Sequence, residues 1–481
     1  DALFKGSQFT KQNPVSRAME TVLGQLHEHN LAKESESLAK FYASVERRAA
    51  DVVTAHGRQE LIYKLYDSFF KGAFPVLTQR LGIVYTPVEV VDFILHSVND
   101  VLKAQFGQTL ASEGVHILDP FTGTGTFITR LLQSGLIAPE ELTRKYREEI
   151  HANEIVLLAY YIAAINIETV YHELMQGELR DDTAYEPFKG ILLTDTFQMY
   201  EQQRDMVANL LPDNSERRTR QKALDDIRVI IGNPPYSAGQ KSENDNAKNI
   251  GYQNLDSRIR ETYALASVGG LNKALYDSYV RAIRWASDRI GDAGVMAYVT
   301  NAGWVDGNAT DGLRKCLAEE FSDLYIFHLR GNARTSGEQR RKGKGNVFGE
   351  GTRTPVAIFV FVKNPDATQH GQIYFHDIGD YLDRKEKLDV IRNVASIDGI
   401  TAVQGWKLIT PDENNDWLDQ VDRSFDQFIA IGAKKSTEVA IFENYSLGVV
   451  TNRDAWCVNS SPSKLESNIY RLISNYWREL E

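Results

Sequence analysis

The stretch V-I-I-G-N-P-P-Y, from Val229 to Tyr236, decides the fold that we predict for this chain. Three apolar β-formers in a row are typical of a buried strand. The glycine leads into a corner made stiff by two prolines, because each proline fixes its own φ and favours an extended residue before it. Open α/β sheets bind ligands beyond the carboxyl ends of their strands. We therefore expect a strand whose loop, residues 233–236, lies at a ligand site.

The residues of this corner suit one kind of chemistry. The Asn233 side-chain oxygen and the Pro234 carbonyl can both accept a hydrogen bond from one exocyclic amino group. Two acceptors draw the nitrogen lone pair out of conjugation with a ring, so the nitrogen becomes nucleophilic without a negative charge. The Tyr236 ring offers a flat face for a planar base, and such stacking is worth about 1–3 kcal/mol. The alternative is that Asn-Pro-Pro forms an ordinary turn after a strand and has no functional role.

A second stretch, V-H-I-L-D-P-F-T-G-T-G-T-F-I-T-R from Val115 to Arg130, reads as a strand, a glycine turn and the start of a helix. Gly123 and Gly125 permit the backbone to approach a ligand closely. Asp119 ends the strand, where a carboxylate can hold an amine or a hydroxyl. The dinucleotide fingerprint G-x-G-x-x-G is incomplete, since Ile128 occupies the third glycine position. The turn therefore favours a smaller nucleoside cofactor.

The two motifs together, D-P-F-T-G-T-G-T-F followed by N-P-P-Y, resemble those of gamma-group DNA adenine-N6 methyltransferases that use S-adenosylmethionine. The flanks are similar to the methyltransferase region of single-polypeptide Type I (Type ISP) restriction-modification enzymes. The resemblance implies a Rossmann-like doubly wound α/β sheet, mixed and with a reversed edge strand, preceded by a helical domain. It also implies S-adenosylmethionine as cofactor, double-stranded DNA as substrate, and nuclease and helicase parts elsewhere in the same longer polypeptide.

The resemblance also assigns roles to single residues. Glu154, in E-I-H-A-N-E-I, would accept the two ribose hydroxyls, and Asp195, after I-L-L-T, would accept from the cofactor's adenine amino group. Each of them has an ordinary alternative, a solvated strand end for Glu154 and a turn-forming residue for Asp195. The catalytic residues it implies are Asn233, Pro234, Pro235 and Tyr236. The cofactor-binding residues it implies are Tyr85, Thr86, Pro87, Asp119, Pro120, Thr122, Gly123, Gly125, Phe127, Glu154 and Asp195.

The start of the first helix in this region carries capping signals. Thr86 is a favourable N-cap residue, Pro87 suits the first helical position, and Glu89 would complete a capping box. We expect a helix through Val90 and Leu95. The resemblance adds that Tyr85-Thr86-Pro87 closes over the methionine end of the cofactor.

A basic segment lies between two predicted strands, 324–329 and 354–362. Its sequence, R-G-N-A-R-T-S-G-E-Q-R-R-K-G-K, contains glycines that should keep it flexible. A basic loop at the active edge of a sheet can contact phosphates. The alternative is a solvated hairpin loop, just as Arg453 and Trp456 further along suit either DNA contact or interface packing. The candidate DNA-contacting residues are Arg330, Arg334, Arg340, Arg341, Lys342, Lys344 and Arg453.

Composition sets limits on the function. The chain has 481 residues and a net charge of −11, so DNA binding requires a local basic patch. No apolar run is long enough to cross a bilayer, and no signal peptide is evident. The two cysteines, Cys316 and Cys457, show no metal-ligand spacing, and we expect no metal and a cytoplasmic protein. A Walker A motif is absent from the sequence, so no motor activity is predicted.

We divide the chain into a helical, coupler-like domain at 1–80, a methyltransferase domain at 81–395, and a connection towards target recognition at 396–481. The start at Asp1 and the end at Glu481 suggest a piece of a longer polypeptide. Two other functions remain open. One is methylation of another amino nitrogen, in RNA or on a protein glutamine. The other is a non-catalytic DNA-binding or coupling module, while a nucleotide-dependent oxidoreductase is disfavoured by the incomplete glycine fingerprint.

Overall fold

The fold was obtained as a computed structural model. It describes residues 13, 86–175, 185–201, 212–225, 227–235, 251–267, 273–349, 352–418, 420, 428–432, 439–442, 451 and 453–480. These residues belong to two compact units, Asp1–Gln420 and Val421–Glu481. The helices predicted before residue 80, together with Tyr85, Tyr236 and the polar loop after it, lie outside the described residues.

One mixed sheet of nine strands organises the first unit, in the order β3-β2-β1-β4-β5-β7-β6-β8-β9. The strands β1 to β5 are parallel, β7 is antiparallel to both β5 and β6, and β9 is antiparallel to β8. The strands are β1 (His116–Asp119), β2 (Ile150–Glu154), β3 (Ile191–Leu193), β4 (Ile227–Gly232), β5 (Gly294–Asn301), β6 (Asp323–Arg330), β7 (Val356–Lys363), β8 (Gln372–Asp377) and β9 (Lys407–Ile409).

The predicted α/β doubly wound fold is confirmed, and one detail of the sheet differs. The strand β9 is a reversed strand at the edge, as expected, but a second reversed strand, β7, lies inside the sheet. The strand β7 is hydrogen-bonded to strands on both sides, and its sequence V-A-I-F-V-F-V is buried at every position because alternate side chains pack into the apolar clusters on the two faces of the sheet. A continuous apolar run of this kind is typical of a strand covered on both faces.

Helices cover both faces of the sheet. The α-helices of the first unit are α1 (Val88–Phe106), α2 (Thr126–Gln133), α3 (Pro139–Arg144), α4 (Leu157–Met175), α5 (Pro212–Lys222), α6 (Gln253–Ile259), α7 (Ser278–Arg289), α8 (Gly303–Asp306), α9 (Asp311–Glu320), α10 (Gly337–Gly343), α11 (Arg384–Val394) and α12 (Ile397–Ala402). Short π-helical or 3₁₀ turns occupy Lys145–Glu149, Phe197–Tyr200, Arg260–Ala264, Lys273–Tyr276 and Asn308–Thr310.

The alternation of side chains along the central strands divides the core into two apolar clusters. Val229 and Ile231 of β4 contribute to one cluster, together with α1, α2, α4, α11 and α12. Ile230, between them, contributes to the other, together with α6, α7 and α9. Because alternate side chains of a strand point to opposite faces, β4 packs against helices on both faces. Its carboxyl end therefore lies between two layers of helices.

The first unit extends past residue 395, where we predicted a domain boundary. The helix α12 and the edge strand β9 both lie in it, and β9 completes the sheet. The three-part division of the chain stays a prediction. No helix in the described part of the chain is long and apolar enough to cross a membrane.

The second unit contains a small parallel pair, β10 (Ala430–Gly432) and β11 (Ala440–Phe442). Two helices follow, α13 (Asp454–Cys457) and α14 (Pro462–Leu480).

Candidate cofactor and amino-group site

Four of the predicted site residues meet at one edge of the sheet. Asp119 is the last residue of β1 and Glu154 is the last residue of β2. Asp195 follows β3 by two residues, and Asn233 comes directly after β4. Because β3, β2, β1 and β4 are adjacent and parallel, all four residues lie at the carboxyl edge, where open α/β sheets bind ligands.

The two glycines of the turn between β1 and α2 have different surroundings. Both have positive φ, 58° at Gly123 and 89° at Gly125. A Cβ on Gly125 would lie 3.3 Å from the backbone of Ala163 and from the side chain of Ile167, both on α4. A Cβ on Gly123 would meet no atom of the described residues within 4 Å. Gly125 therefore allows α4 to pack against the turn, whereas Gly123 borders open space.

Glu154 connects the end of β2 to this turn. Its Oε2 accepts a hydrogen bond from the Gly123 amide at 2.8 Å, and its Oε1 accepts one from the Val156 amide at 2.7 Å. Each carboxylate oxygen can accept more than one hydrogen bond, so capacity for a ligand remains. The side chain is buried, and burial raises the pKa of Glu154 to about 7.

Asp119 is a fully buried carboxyl group with one unsatisfied oxygen. Its Oδ1 accepts from the Phe121 amide at 3.1 Å, while Oδ2 has no hydrogen-bond partner in the part of the chain that the structure describes. Burial, together with the charge of Glu154, raises the pKa of Asp119 to about 8. A buried polar atom without a partner costs about 1–3 kcal/mol. A ligand that donates a hydrogen bond would relieve that cost.

Asp195 has a neighbour that sequence reasoning missed. Its Oδ2 accepts a hydrogen bond from the Tyr252 hydroxyl at 3.1 Å, and its Oδ1 accepts from the Phe197 amide at 3.0 Å. The Tyr252 and Phe197 rings meet edge to face with centroids 5.1 Å apart, and Phe121 lies 5.4 Å from Phe197. Tyr252 comes just before helix α6, and no periodicity in the sequence singles it out.

Asn233 follows a confined glycine and is held by a side-chain contact with Thr86. The preceding Gly232 is required because a Cβ there would lie 2.9 Å from Oδ1 of Asp119. The Asn233 amide donates from Nδ2 to the Thr86 hydroxyl oxygen at 2.9 Å. Pro234 is buried and Pro235 is half-buried. The amide group of Asn233 is therefore anchored to the residues that precede helix α1.

The capping box predicted at the start of α1 is wrong. The helix begins at Val88 with Pro87 as its N-cap, and no side chain caps it. The Thr86 hydroxyl bonds to Asn233 instead, and Glu89 forms an ion pair with Arg392 at 2.6 Å. Both predicted capping groups are used in tertiary contacts, which the local sequence does not reveal.

Three other predicted cofactor residues lie around the glycine turn. The Thr122 hydroxyl donates to the Asp119 carbonyl at 2.9 Å, and Pro120 is buried. Phe127 is 3% exposed and belongs to the apolar cluster beneath α2. Its ring packs in the core because it occupies the inward face of that helix.

Tyr298 is another residue that the sequence did not indicate. It lies on β5, is fully buried, and its hydroxyl has no hydrogen-bond partner among the described residues. A Cβ on Gly232 would meet its ring at 3.6 Å as well as the carboxylate of Asp119. Two side chains with an unsatisfied polar atom, Asp119 and Tyr298, are therefore buried next to Gly232.

The basic segment between β6 and β7 is more ordered than its glycines suggested. It contains the helix α10, and the Lys387 ammonium donates to the carbonyls of Leu329, Gly343 and Gly345 at 2.9, 2.8 and 2.5 Å. Lys387 is itself fully buried. The prediction of a flexible loop is wrong, because this buried amine holds both ends of the segment together.

The basic side chains of this segment fall into two groups. Arg330 pairs with Asp377 at 2.7 Å and also with Asp380. Lys342 lies 3.7 Å from Asp380, and Arg341 pairs with Glu338. The other three, Arg334, Arg340 and Lys344, are exposed, and so are the paired Arg341 and Lys342. In the second unit Arg453 is exposed just before α13.

A pocket of about 850 Å³ opens beside the basic segment. Residues at the ends of β6 and β8 line it, among them His328, Arg330 and Asp377, with Lys407 and Trp417 on another side. Burial opposes ionisation of Asp377, but its pKa is lowered to about 2 by the His328 imidazole 3.4 Å away, a hydrogen bond from the Gly379 amide and the charge of Arg330. The sequence analysis did not predict this pocket.

Among the residues that the structure describes, no group of three or more His, Cys, Asp or Glu side chains is arranged to hold a metal ion.

Two protein-family models match the chain, one near each end. Residues 1–57 match the coupler domain of Type ISP restriction-modification enzymes. Residues 440–481 match the Type ISP C-terminal specificity domain. No curated protein matches the chain.

Three solved structures with bound DNA are similar to nearly the whole chain. The ATP-dependent Type ISP restriction-modification enzyme LlaBIII bound to DNA is 45% identical over 99% of this chain and 31% of its own, with a TM-score of 0.87. A nuclease-deletion mutant of the Type ISP enzyme LlaGI, in complex with a DNA substrate mimic, is 48% identical over 99% of this chain and 37% of its own, with a TM-score of 0.86. The DrdV–DNA complex is 36% identical over 99% of this chain and 46% of its own, with a TM-score of 0.87.

The chain thus spans less than half the length of each of these three relatives. In the sequence, the strands of the sheet lie between the two segments that the family models match. The chain carries a match to the Type ISP coupler domain at one end and a match to the Type ISP C-terminal specificity domain at the other.

Proposed function

We propose that this chain is the methyltransferase region of a Type ISP restriction-modification enzyme and transfers a methyl group from S-adenosylmethionine to adenine N6 in double-stranded DNA. One observation carries the proposal. The stiff Asn233-Pro234 corner lies at the same sheet edge as an open glycine turn and two buried acidic strand ends. The similarity to DNA-bound Type ISP enzymes supports the substrate class.

The residues around the glycine turn fit the cofactor. The unsatisfied Oδ2 of Asp119 and the spare lone pairs of Glu154 are acceptors for amine or hydroxyl donors. Gly123 leaves space for a ligand beside them. Bound S-adenosylmethionine supplies a methyl group on a positively charged sulfur. Asp195 would orient its adenine, directly or through the Tyr252 hydroxyl.

The target adenine must leave the duplex, because its N6 is unreachable inside the base stack. Flipping costs a few kcal/mol, and stacking on Tyr236 would offset part of it. The Asn233 oxygen and the Pro234 carbonyl would accept hydrogen bonds from the two N6–H groups and hold the nitrogen lone pair towards the methyl group, and the methylated nitrogen would then lose one proton to water. Positioning and fixed dipoles supply most of the rate in this scheme.

The DNA backbone would be contacted by the ordered basic segment. We assign phosphate contacts to the exposed Arg334, Arg340 and Lys344, since their side chains point to solvent. Arg330 and Lys342 are less suited to contact phosphate because both lie beside the acidic Asp380. Arg453 would contribute from the second unit.

A test of this function starts with binding. Calorimetry should show that the chain binds S-adenosylmethionine and that Asp119→Ala weakens this binding. Labelled methyl transfer is then measured with DNA, RNA and protein offered as competing acceptors. Label in DNA supports the proposal. Label in RNA or in protein glutamine would favour the other methylation reactions, and cofactor binding without transfer to any acceptor would indicate a non-catalytic coupling module.

A further inference from the structure

We propose that Thr86 is a positioning residue for this methyl transfer, which holds the Asn233 amide group at the angle from which its oxygen faces the acceptor amine. The inference rests on the proposed function. It changes the role of Thr86, which the sequence suggested as a helix cap and as a cofactor contact.

The contact that carries the inference joins two distant parts of the sequence. The Asn233 Nδ2 donates to the Thr86 Oγ1 over 2.9 Å, and the two residues are 147 positions apart. Thr86 is 6% exposed. The Asn233 side is only half-buried, so the hydrogen bond is partly buried. Such a bond between two side chains restricts rotation of both, because breaking it leaves polar atoms short of a partner.

Rigid neighbours hold both partners of this hydrogen bond. Thr86 is followed by Pro87 and by the helix α1, whose Val90, Val91 and Ile94 are fully buried. Asn233 lies between Gly232, which is confined against Asp119, and Pro234. A functional group supported in this way keeps its geometry without rearranging during the reaction.

The chemistry explains why such an anchor matters. An asparagine amide carries an acceptor oxygen on one side and two N–H donors on the other. Only the oxygen can accept from the amino group of an adenine, since two donors facing each other repel. The bond to Thr86 occupies the nitrogen side, so the nitrogen and not the oxygen of the Asn233 amide faces Thr86.

Thr86 does not cap the helix that follows it. It lies one residue before the N-cap, Pro87, and no side chain caps α1. Its hydroxyl oxygen accepts a hydrogen bond from the Asn233 amide instead, so the polar group of Thr86 serves the candidate site and not the helix end.

Kinetics of two variants of the full chain test the positioning role. Thr86→Val keeps the shape and removes the hydroxyl, and loss of one net hydrogen bond should lower kcat about threefold to tenfold at saturating cofactor. The Kd for S-adenosylmethionine should change less than about twofold. Thr86→Ser should restore kcat, because it restores the hydroxyl. Thr129→Val is the matched control, since the buried Thr129 hydroxyl bonds only within α2, to the Thr126 carbonyl.

A second readout does not depend on turnover. With the chain labelled by ¹⁵N-asparagine, the Asn233 side-chain amide signal, assigned from its absence in Asn233→Ala, should shift and exchange faster in Thr86→Val. It should stay unchanged in Thr129→Val. An amide signal that does not respond to Thr86→Val would overturn the contact itself.

The outcomes separate this inference from the proposed function. Normal transfer by the wild-type chain, with an unchanged kcat in Thr86→Val, would overturn the positioning role alone. A variant with a weaker cofactor Kd and a normal kcat would show that Thr86 serves the cofactor instead. Absence of transfer by the wild-type chain with every acceptor would overturn the proposed function, and the positioning role with it.

Discussion

Two buried carboxyl groups dominate the candidate site at the scale of single residues. Asp119 and Glu154 end neighbouring strands, and burial raises their pKa values to about 8 and about 7. Each group is therefore partly protonated near neutral pH, where an exposed carboxyl group would be ionised. Raised pKa values next to an open turn are typical of a ligand site.

The first prediction concerns the pH dependence of cofactor binding. Ionised carboxylates accept hydrogen bonds from hydroxyls and amines better than the neutral acids do. The affinity for S-adenosylmethionine should therefore rise as pH increases from 6 to 8.5, through the two raised pKa values. Calorimetry across this range would detect the change. The exposed Glu140→Gln should keep the same pH profile, and Asp119→Asn should flatten it; a flat profile in the wild-type chain would contradict the assignment.

The same groups predict the pH dependence of stability without ligand. Because the folded-state pKa of Asp119 lies above the unfolded value, the folded chain binds the proton more tightly and loses stability as pH rises towards 8. Asp119→Asn removes the buried charge and should stabilise the chain by about 1–3 kcal/mol at pH 8. The gain should vanish towards about pH 3, below the ordinary aspartate pKa, where the acid is mostly protonated in both states. Urea denaturation at the two pH values measures it, and a gain that is the same at both would oppose the account.

At the scale of elements, the glycine turn and the helix α4 form one unit. The Asn166 side chain on α4 donates to the Thr124 carbonyl at 2.9 Å, and Gly125 lets the helix approach the turn. Gly123, two residues earlier, contacts nothing that a Cβ would disturb. Gly125 thus serves the packing of α4 against the turn, and Gly123 leaves room for a ligand.

Matched alanine substitutions should reveal this separation. Gly125→Ala places a Cβ 3.3 Å from α4 and strains a left-handed residue, so it should destabilise the chain by about 1–3 kcal/mol. Gly123→Ala carries only the cost of its conformation, about 1–2 kcal/mol, but its Cβ enters the ligand space. Thermal denaturation and cofactor titration of both variants make the comparison. The assignment would be contradicted if Gly125→Ala were as stable as Gly123→Ala but bound the cofactor more weakly. In that case Gly125 would border the ligand and Gly123 would serve packing.

The basic segment gives a prediction about salt dependence. Arg340→Ala should weaken DNA binding about equally for different sequences and reduce the slope of log K against log [salt] by about one, as expected for one lost phosphate contact. Arg330→Ala should mainly lower stability, because Arg330 is paired with Asp377. Binding titrations at several salt concentrations test both variants. An unchanged slope in Arg340→Ala would remove it from the DNA contacts.

The elements that sequence reasoning predicted are those with strong local patterns. The apolar run before Asn233 and the strand that ends at Glu154 were both found. The reversed edge strand was also found, but it was expected from the family resemblance and not from a local pattern. The capping box at Thr86, the contact of Tyr252 with Asp195 and the order of the basic segment were not foreseen. These depend on side chains that meet across more than 40 positions of sequence, and no local rule encodes such meetings.

At the scale of the whole molecule, the chain combines a sheet with a site at its carboxyl edge and two terminal segments that match Type ISP domains. The three DNA-bound relatives are much longer, and this chain covers 31%, 37% and 46% of them. How the site is controlled by other parts of such a polypeptide is therefore a separate question from its chemistry.

The central claim is that Asn233 directs a methyl group to an adenine amino nitrogen. The most direct measurement is mass spectrometry of nucleosides from DNA incubated with the chain and methyl-labelled S-adenosylmethionine, using duplexes with unpaired adenines to lower the flipping cost. The account predicts labelled N6-methyladenine with the wild-type chain and none with Asn233→Ala, whose cofactor affinity stays near normal. Label on another base, or undiminished N6-methyladenine with Asn233→Ala, would contradict it.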